Sequence, residues 1–218
     1  MKRRRNVLMA LAAMVAAACM LGISVNLYII AGIGSDSITV FEDGLHAALN
    51  ISLGASSYLY SFLTIGIALL CARKYIGWTT ITYSLLCGPA INIFGAILRP
   101  ISLYSDSAVV KLILLCLAIL FTAAACAVLI VFRNGMNSLD AIATVISERT
   151  GLQYRLIRTC MDALLMFTGW LMGGTVGLGT IPAVFLTGTA IDQFVALMKK
   201  AGIGLKESIF EKGRSIEI

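Results

Sequence analysis

Asp192 makes the heaviest demand on its surroundings of any residue in this chain. It stands in an apolar stretch, seven residues before Lys199 and Lys200. At 1.5 Å per helical residue that is about 10 Å into hydrocarbon, where a carboxylate is costly unless it faces water, protein or a partner. The expectation is a proton- or cation-binding acid, with a hydrogen bond to a neighbouring helix as the structural alternative. One hundred positions earlier stands Asn92, which would keep the polar contact without the charge. Gly88-Pro89 and Gly188 lie near the middle of the same two stretches. Pro89 lacks the N–H that bonds back one turn, so a kink or unwound turn is predicted there, with close helix packing as the plainer reading of the glycines. Arg158 and Asp162 are four apart and share a helix face, where they can pair. His46, the single histidine, lies close to Asp36, Glu42 and Asp43, which makes it either a surface residue or part of a pH-sensitive gate.

The match between Asn92 and Asp192 belongs to a longer repeat. Residues Gly77 to Phe94 reappear at Gly177 to Phe194 without a gap, with identities that include Gly77/Gly177, Thr80/Thr180, Gly88/Gly188, Ala90/Ala190 and Phe94/Phe194. Because glycine and threonine recur as well as apolar residues, the chain reads as two copies of one unit.

Composition says what the unit is. Of 218 residues 59% are hydrophobic and 13% charged, which exposes too much hydrocarbon for a soluble protein and implies an integral membrane protein. Stretches long enough to cross a bilayer run from about Val7 to Ala31, Leu53 to Ala72, Ile76 to Leu98, Leu112 to Phe132, Leu156 to Met172 and Leu178 to Met198. The expected fold is therefore all-α: one membrane domain over 1–218 with six transmembrane helices in two three-helix repeats. The repeats span about 7–100 and 108–200, and 201–218 form a cytoplasmic tail.

Basic residues set the orientation, since cytoplasmic loops retain them. With the amino terminus inside, Lys2 to Arg5, Arg73, Lys74, Arg133, Arg149, Arg155, Arg158, Lys199, Lys200, Lys206, Lys212 and Arg214 are cytoplasmic, and Arg99 and Lys111 are outside. Both termini are then cytoplasmic. The net charge of +6 accordingly reads as topology and contact with anionic headgroups, and no nucleic-acid partner is expected. Three spans per copy make the second copy enter from the opposite face, giving inverted repeats of the kind many secondary transporters use.

The amino terminus also resembles a signal peptide, with Lys2-Arg3-Arg4-Arg5 before an apolar run and Ala16-Ala17-Ala18-Cys19. The run continues to Ala31, however, and the repeat needs it as counterpart of Leu112 to Phe132, so it is read as a span. Between the first two spans of each copy lies a short amphipathic helix. Ile38, Phe41, Leu45 and Leu49 form its apolar stripe in copy one, and Leu139, Ile142 and Ile146 in copy two, where Ser138 is the expected N-cap and Gly151 the C-terminal stop. Each either lies flat in the headgroups or re-enters the membrane to line a cavity.

The six cysteines are scattered without a CxxC or a histidine at ligand spacing, so no metal site is expected. With no Walker loop, HExxH or GxSxG in the sequence, neither an enzyme nor a cofactor is expected.

Ser138-Leu139-Asp140-Ala141, Glu148 to Leu152, Arg158-Thr159 and Gly169 to Thr180 resemble the second half of bacterial membrane proteins of the YczE/YyaS/YitT type. The first half is similar in Gly32-Ile33-Gly34 and in Gly77 to Phe94, and departs at Asp36-Ser37-Ile38, where that family tends to carry a Pro-aromatic pair. The resemblance implies a multi-pass protein of the bacterial cytoplasmic membrane and carries over no catalytic role. The expected function is a secondary transporter of a small solute, cation- or proton-coupled. Asp192 and Asn92 would form its midplane site, and the acidic outer helix with Asp36, Glu42 and His46 would form one gate. Arg158 and Asp162 are read as an ion pair first, with anion recognition by Arg155 and Arg158 as the second reading. The alternatives are a substrate-binding subunit of a vitamin-type importer, packed on a partner membrane subunit through the alanine-rich first helix, and a non-transporting scaffold or regulator. A homo-oligomer would suit any of the three.

Overall fold

The computed structural model describes residues 2–76, 78–98, 100, 107–131 and 137–201. Gly77, Arg99, Arg133 and the 202–218 tail with Lys206, Lys212 and Arg214 lie outside the described residues, as do the side chains of Lys2 to Arg5 and Arg155. Among the described residues there are eight α-helices and no strand: α1 Lys2–Ala31, α2 Ser37–Leu49, α3 Leu53–Cys71, α4 Trp78–Leu98, α5 Ala108–Val131, α6 Ser138–Thr150, α7 Tyr154–Leu171 and α8 Thr180–Lys200, with a 3-10 turn at Arg73–Tyr75.

Five of these are long and apolar enough to cross a membrane: α1, α3, α4, α5 and α8. The sixth expected span, α7, forms as a helix of 18 residues, but Arg155, Arg158 and Asp162 in its first half lower its hydropathy below that of the others. Local signals set the ends. Gly32 at φ 62° stops α1, Asn50 at φ 54° stops α2, and Gly151 at φ 70° stops α6, each in the left-handed region that ends helices. Ser52 caps α3 by accepting from the Ala55 N–H. At α6 the capping position belongs to Asn137, not Ser138: Ser138 is already helical and its hydroxyl donates to Thr64 Oγ1 at 2.9 Å.

No unwound turn forms at Gly88-Pro89, because α4 runs unbroken through both residues. Pro89 leaves the Leu85 carbonyl one turn back without a donor, and the Tyr58 hydroxyl of α3 donates to that oxygen at 2.9 Å. Gly88 makes room for this repair, since a Cβ there would lie 2.5 Å from the Tyr58 ring. α8 is likewise continuous through Gly188, where a Cβ would meet nothing within 4 Å.

Two packing groups result. α1 packs on α5 and α4, and α5 on α8. Small residues such as Ala17, Ala18, Ala118 and Ala123 are fully or nearly buried and let these backbones approach closely. Ser24 donates to the Ala118 carbonyl and shares a bond with Thr122, while the Asn26 amide reaches the Ile91 carbonyl. The second group is polar: α2 packs on α7 and α3, and α6 on α3 and α7. The α3–α4 contact joins the two groups.

Candidate functional site

The polar group of helices carries the charge. The seam of α2 against α7 is glycine on both sides. A Cβ at Gly44 would lie 2.4 Å from the Gly169 carbonyl oxygen, and one at Gly169 would lie 2.6 Å from that of Val40. This contact turns the acidic side of α2 into the protein, where Glu42 is 4% exposed and Asp43 7%.

Along the seam runs a file of hydrogen bonds that begins at an exposed edge. The Tyr154 hydroxyl donates to Asp140 Oδ1 at 2.9 Å, and Arg158 pairs with Asp140 at 2.5 Å and with Asp162 at 3.0 Å. Asp162 Oδ1 accepts in turn from the Ser37 hydroxyl at 2.6 Å. Side-chain exposure falls along the file, from 35% at Asp140 to 24% at Arg158 and 21% at Asp162. One guanidinium thus holds two carboxylates from two helices, and both N–H faces of its fork are used.

Beyond Ser37 the file meets two acids without a cation. Asp36 accepts from the Thr39 hydroxyl at 2.6 Å. Glu42 is hydrogen-bonded to the Ser57 hydroxyl of α3. Burial raises the Glu42 carboxyl to about 8; the Ser57 bond pulls it down and neighbouring Asp36 pushes it further up. Burial likewise raises Asp36, against the bonds from Thr39. Between the two sets stands Tyr60 on α3, within electrostatic reach of Glu42 as well as Arg158, Asp140 and Asp162. Its hydroxyl is buried and has no hydrogen-bond partner, and its ring packs edge-on to Phe41 with centroids 6.0 Å apart.

Of the residues singled out from sequence, Asp36, Glu42, Arg158 and Asp162 therefore come together. His46 lies one turn beyond Glu42 on α2 but has no bond to these acids; its Nδ1 pairs with the Ile51 carbonyl past the end of α2. Asn92 and Asp192 are not brought together. Asn92 Oδ1 accepts from the Gly54 N–H at 3.1 Å, satisfying one of the free donors that begin α3. Asp192 is exposed on the outer face of α8, with no hydrogen bond or ion pair to a described residue. α4 and α8 do not form a packed pair, since α4 packs on α1 and α3, and α8 on α5. Helix periodicity alone could not tell which side of α8 faces protein.

Sequence reasoning passed over Asp140, Ser37, Ser57, Tyr60 and Tyr154. Asp140 had a usable signal: it is the only acid in the first turn of α6, and Arg158 can satisfy more than one carboxylate. The serines and tyrosines carried none, because in membrane helices such residues usually bond within their own helix. Among the described residues no three of His, Cys, Asp and Glu gather as a metal site.

A family model described as "Family of unknown function (DUF6198)" matches residues 8–204. The chain is 26% identical over 165 residues to the "Uncharacterized membrane protein YczE" of Bacillus subtilis (strain 168), covering 74% of this chain and 75% of that one. It is 25% identical over 190 residues to an "Uncharacterized protein" of Haemophilus influenzae (strain ATCC 51907 / DSM 11121 / KW20 / Rd), covering 83% and 80%. No solved structure matches.

Proposed function

We propose, from the premise that the chain belongs to the DUF6198 family, that it is a proton-coupled secondary transporter of a small solute in the bacterial cytoplasmic membrane, built as two inverted repeats with both termini inside. The helix contacts support the repeat. With α1 taken as counterpart of α5, α2 of α6, α3 of α7 and α4 of α8, the α1–α4 contact answers α5–α8, α2–α7 answers α6–α3, and α2–α3 answers α6–α7. The short helices begin alike: Ser37 donates to Asp162 partway along α7, and Ser138 to Thr64 partway along α3. Each short helix thus starts beside the middle of a long helix from the other half, as a re-entrant segment would and a flat surface helix would not.

Glu42 is the single observation that carries the coupling. A 4% exposed carboxyl whose hydrogen-bond partner is a neutral hydroxyl, beside a second buried acid, holds a proton at neutral pH. The file from Tyr154 through Arg158 to Ser37 gives that centre a polar connection to the α6–α7 edge. Opening the α2–α7 seam would move Glu42 relative to it, which links the proton to alternating access. Asp192 lies outside this centre and takes no part in the coupling.

The test is electrophysiology on solid-supported membranes carrying reconstituted protein, challenged with a panel of small amines, carboxylates and nucleosides under a pH gradient. Solute-dependent proton current that disappears in a folded Glu42→Gln variant is expected. Current unchanged in that variant would remove Glu42 from the mechanism, and no solute-dependent current from the whole panel would remove transport. Co-purification with an ATPase complex would instead favour the importer subunit, for which the exposed Ala12 and Ala16 of α1 offer a close-packing face.

A further inference from the structure

At the end of α3 that leads into the Arg73–Tyr75 turn, a groove of about 170 Å³ opens between that turn and the last turn of α6. Its floor includes Ala72 and Val145, and its rim holds Arg73, Lys74, Glu148 and Arg149. Three cations thus surround one carboxylate, and that carboxylate is already engaged: Glu148 pairs with Lys74 at 3.5 Å and accepts from the Tyr75 hydroxyl. Arg73 and Arg149 are exposed and form no ion pair with a described residue. Two planar guanidinium groups free at one groove match the oxygens of a phosphate.

Position selects the form of that phosphate. α3 is one of the apolar spans and ends at Cys71, so the groove opens where a span leaves hydrocarbon. Leading up to it, Leu63, Ile67 and Leu70 are 52%, 42% and 88% exposed and follow one another at helical spacing. An apolar track running into a basic groove fits an amphiphile better than a free anion, and basic residues at a membrane surface attract anionic lipid. We propose that this groove binds the phosphate headgroup of an anionic phospholipid whose acyl chains lie along α3. Neither the transport reading nor the assignment of the leaflet enters into it.

Native mass spectrometry of the detergent-purified full chain tests the site, with dioleoylphosphatidylglycerol as probe and dioleoylphosphatidylcholine as the neutral control. Wild-type protein should retain the glycerol lipid in preference to the choline lipid. The Arg73→Gln/Arg149→Gln variant should lose retention on the order of 30-fold, at about a fivefold contribution per basic residue. Glu148→Gln removes the one carboxylate and should raise retention severalfold. Equal retention of the two lipids, an unchanged arginine variant, or weaker retention in Glu148→Gln would each overturn the site. Displacement of the lipid by millimolar inorganic phosphate would reassign it to a free anion.

Discussion

α2 and α6 are both helices of 13 residues that begin with serine and follow the first long helix of their half, yet one is enclosed and the other is partly open. On α2 both acids are buried, whereas on α6 Glu148 and Arg149 reach the surface. Neither length nor the starting serine explains this. The difference lies in what covers each helix. The connection between α7 and α8, residues 172–179, folds back over α2: the Thr175 N–H donates to Asp43 at 2.7 Å, and a Cβ at Gly174 would lie 2.3 Å from the Val40 carbonyl oxygen. The matching connection between α3 and α4, residues 72–77, is two residues shorter; Ala72, Tyr75 and Ile76 pack on the apolar side of α6 and Lys74 and Tyr75 meet Glu148, which leaves the charged end of α6 open. Enclosure raises the buried carboxyl of α2, and openness leaves α6 its charged groove.

Arg158 is the strongest point at which to break that contrast, because it ties α6 to α7 while Asp162 ties α7 to α2. Arg158→Ala leaves two carboxylates in a partly buried site without their cation. A loss of about 3 to 5 kcal/mol is expected for a buried pair that loses one partner, toward the lower end here because a quarter of the arginine is exposed. Thermal unfolding in detergent measures it. Adding Asp162→Asn should restore part of the loss, and strict additivity of the two changes would show that the network is not a unit.

The seam sharpens the comparison next. Gly44→Ala drives a Cβ into the Gly169 backbone at 2.4 Å, which neither helix can avoid without separating, so about 3 kcal/mol should be lost. Gly188→Ala is the control. It meets open space in mid-helix and should gain about 0.5 to 1 kcal/mol from helix propensity. If both substitutions are neutral, α2 is not held by the glycine seam.

These positions also mark where sequence reading reached and where it stopped. The long helices were legible because hydropathy is a local property: the stretches read as Leu53 to Ala72 and Ile76 to Leu98 form as Leu53–Cys71 and Trp78–Leu98. Two sites with equal local signals parted only in three dimensions. Gly88 and Gly188 match in the repeat, but Tyr58 of α3 fills the space at Gly88 and no helix fills it at Gly188. Asn92 and Asp192 fail as a pair for the same reason, since no local pattern says that α4 packs against α3 while α7 leaves α8 aside. Glu42 was visible as an acid on an amphipathic helix. Its burial was not, because the cover comes from α3, where Ser57 meets it, and from the seam with the distant α7.

The pH profile probes the enclosed helix directly. Glu42 is raised from 4.5 to about 8 in the folded protein, so its neutral form is the one the fold favours. The sign follows from linkage: its contribution is complete below about pH 4.5, shrinks as the unfolded chain ionises first, and is gone once pH passes 8. Detergent stability should therefore fall between pH 5 and 9, by roughly 4 kcal/mol attributable to this residue. Glu42→Gln should flatten that fall, with Asp36 accounting for what remains. An unchanged slope would mean that water reaches Glu42 and that α2 is no more enclosed than α6.

The smallest effect is expected at the open end of α6. Lys74 and Glu148 are 71% and 43% exposed, so solvent screens their pair and each side chain gives up freedom to hold it. The Tyr75 hydroxyl, and then Lys74, hold the Glu148 carboxyl below its usual value. Its contribution is thus present above pH 4.5 and lost as pH falls through the lower folded value, the opposite direction from Glu42. Glu148→Ala should move the melting midpoint by about 1 °C at low ionic strength and less in 1 M salt, where the screening length falls to roughly 3 Å. Opposite slopes for the two glutamates in one protein would separate an acid kept from water from one that water surrounds. A midpoint shift for Glu148→Ala as large as that for Arg158→Ala would mean that α6 depends on its surface contacts, and the contrast with α2 would then be one of degree.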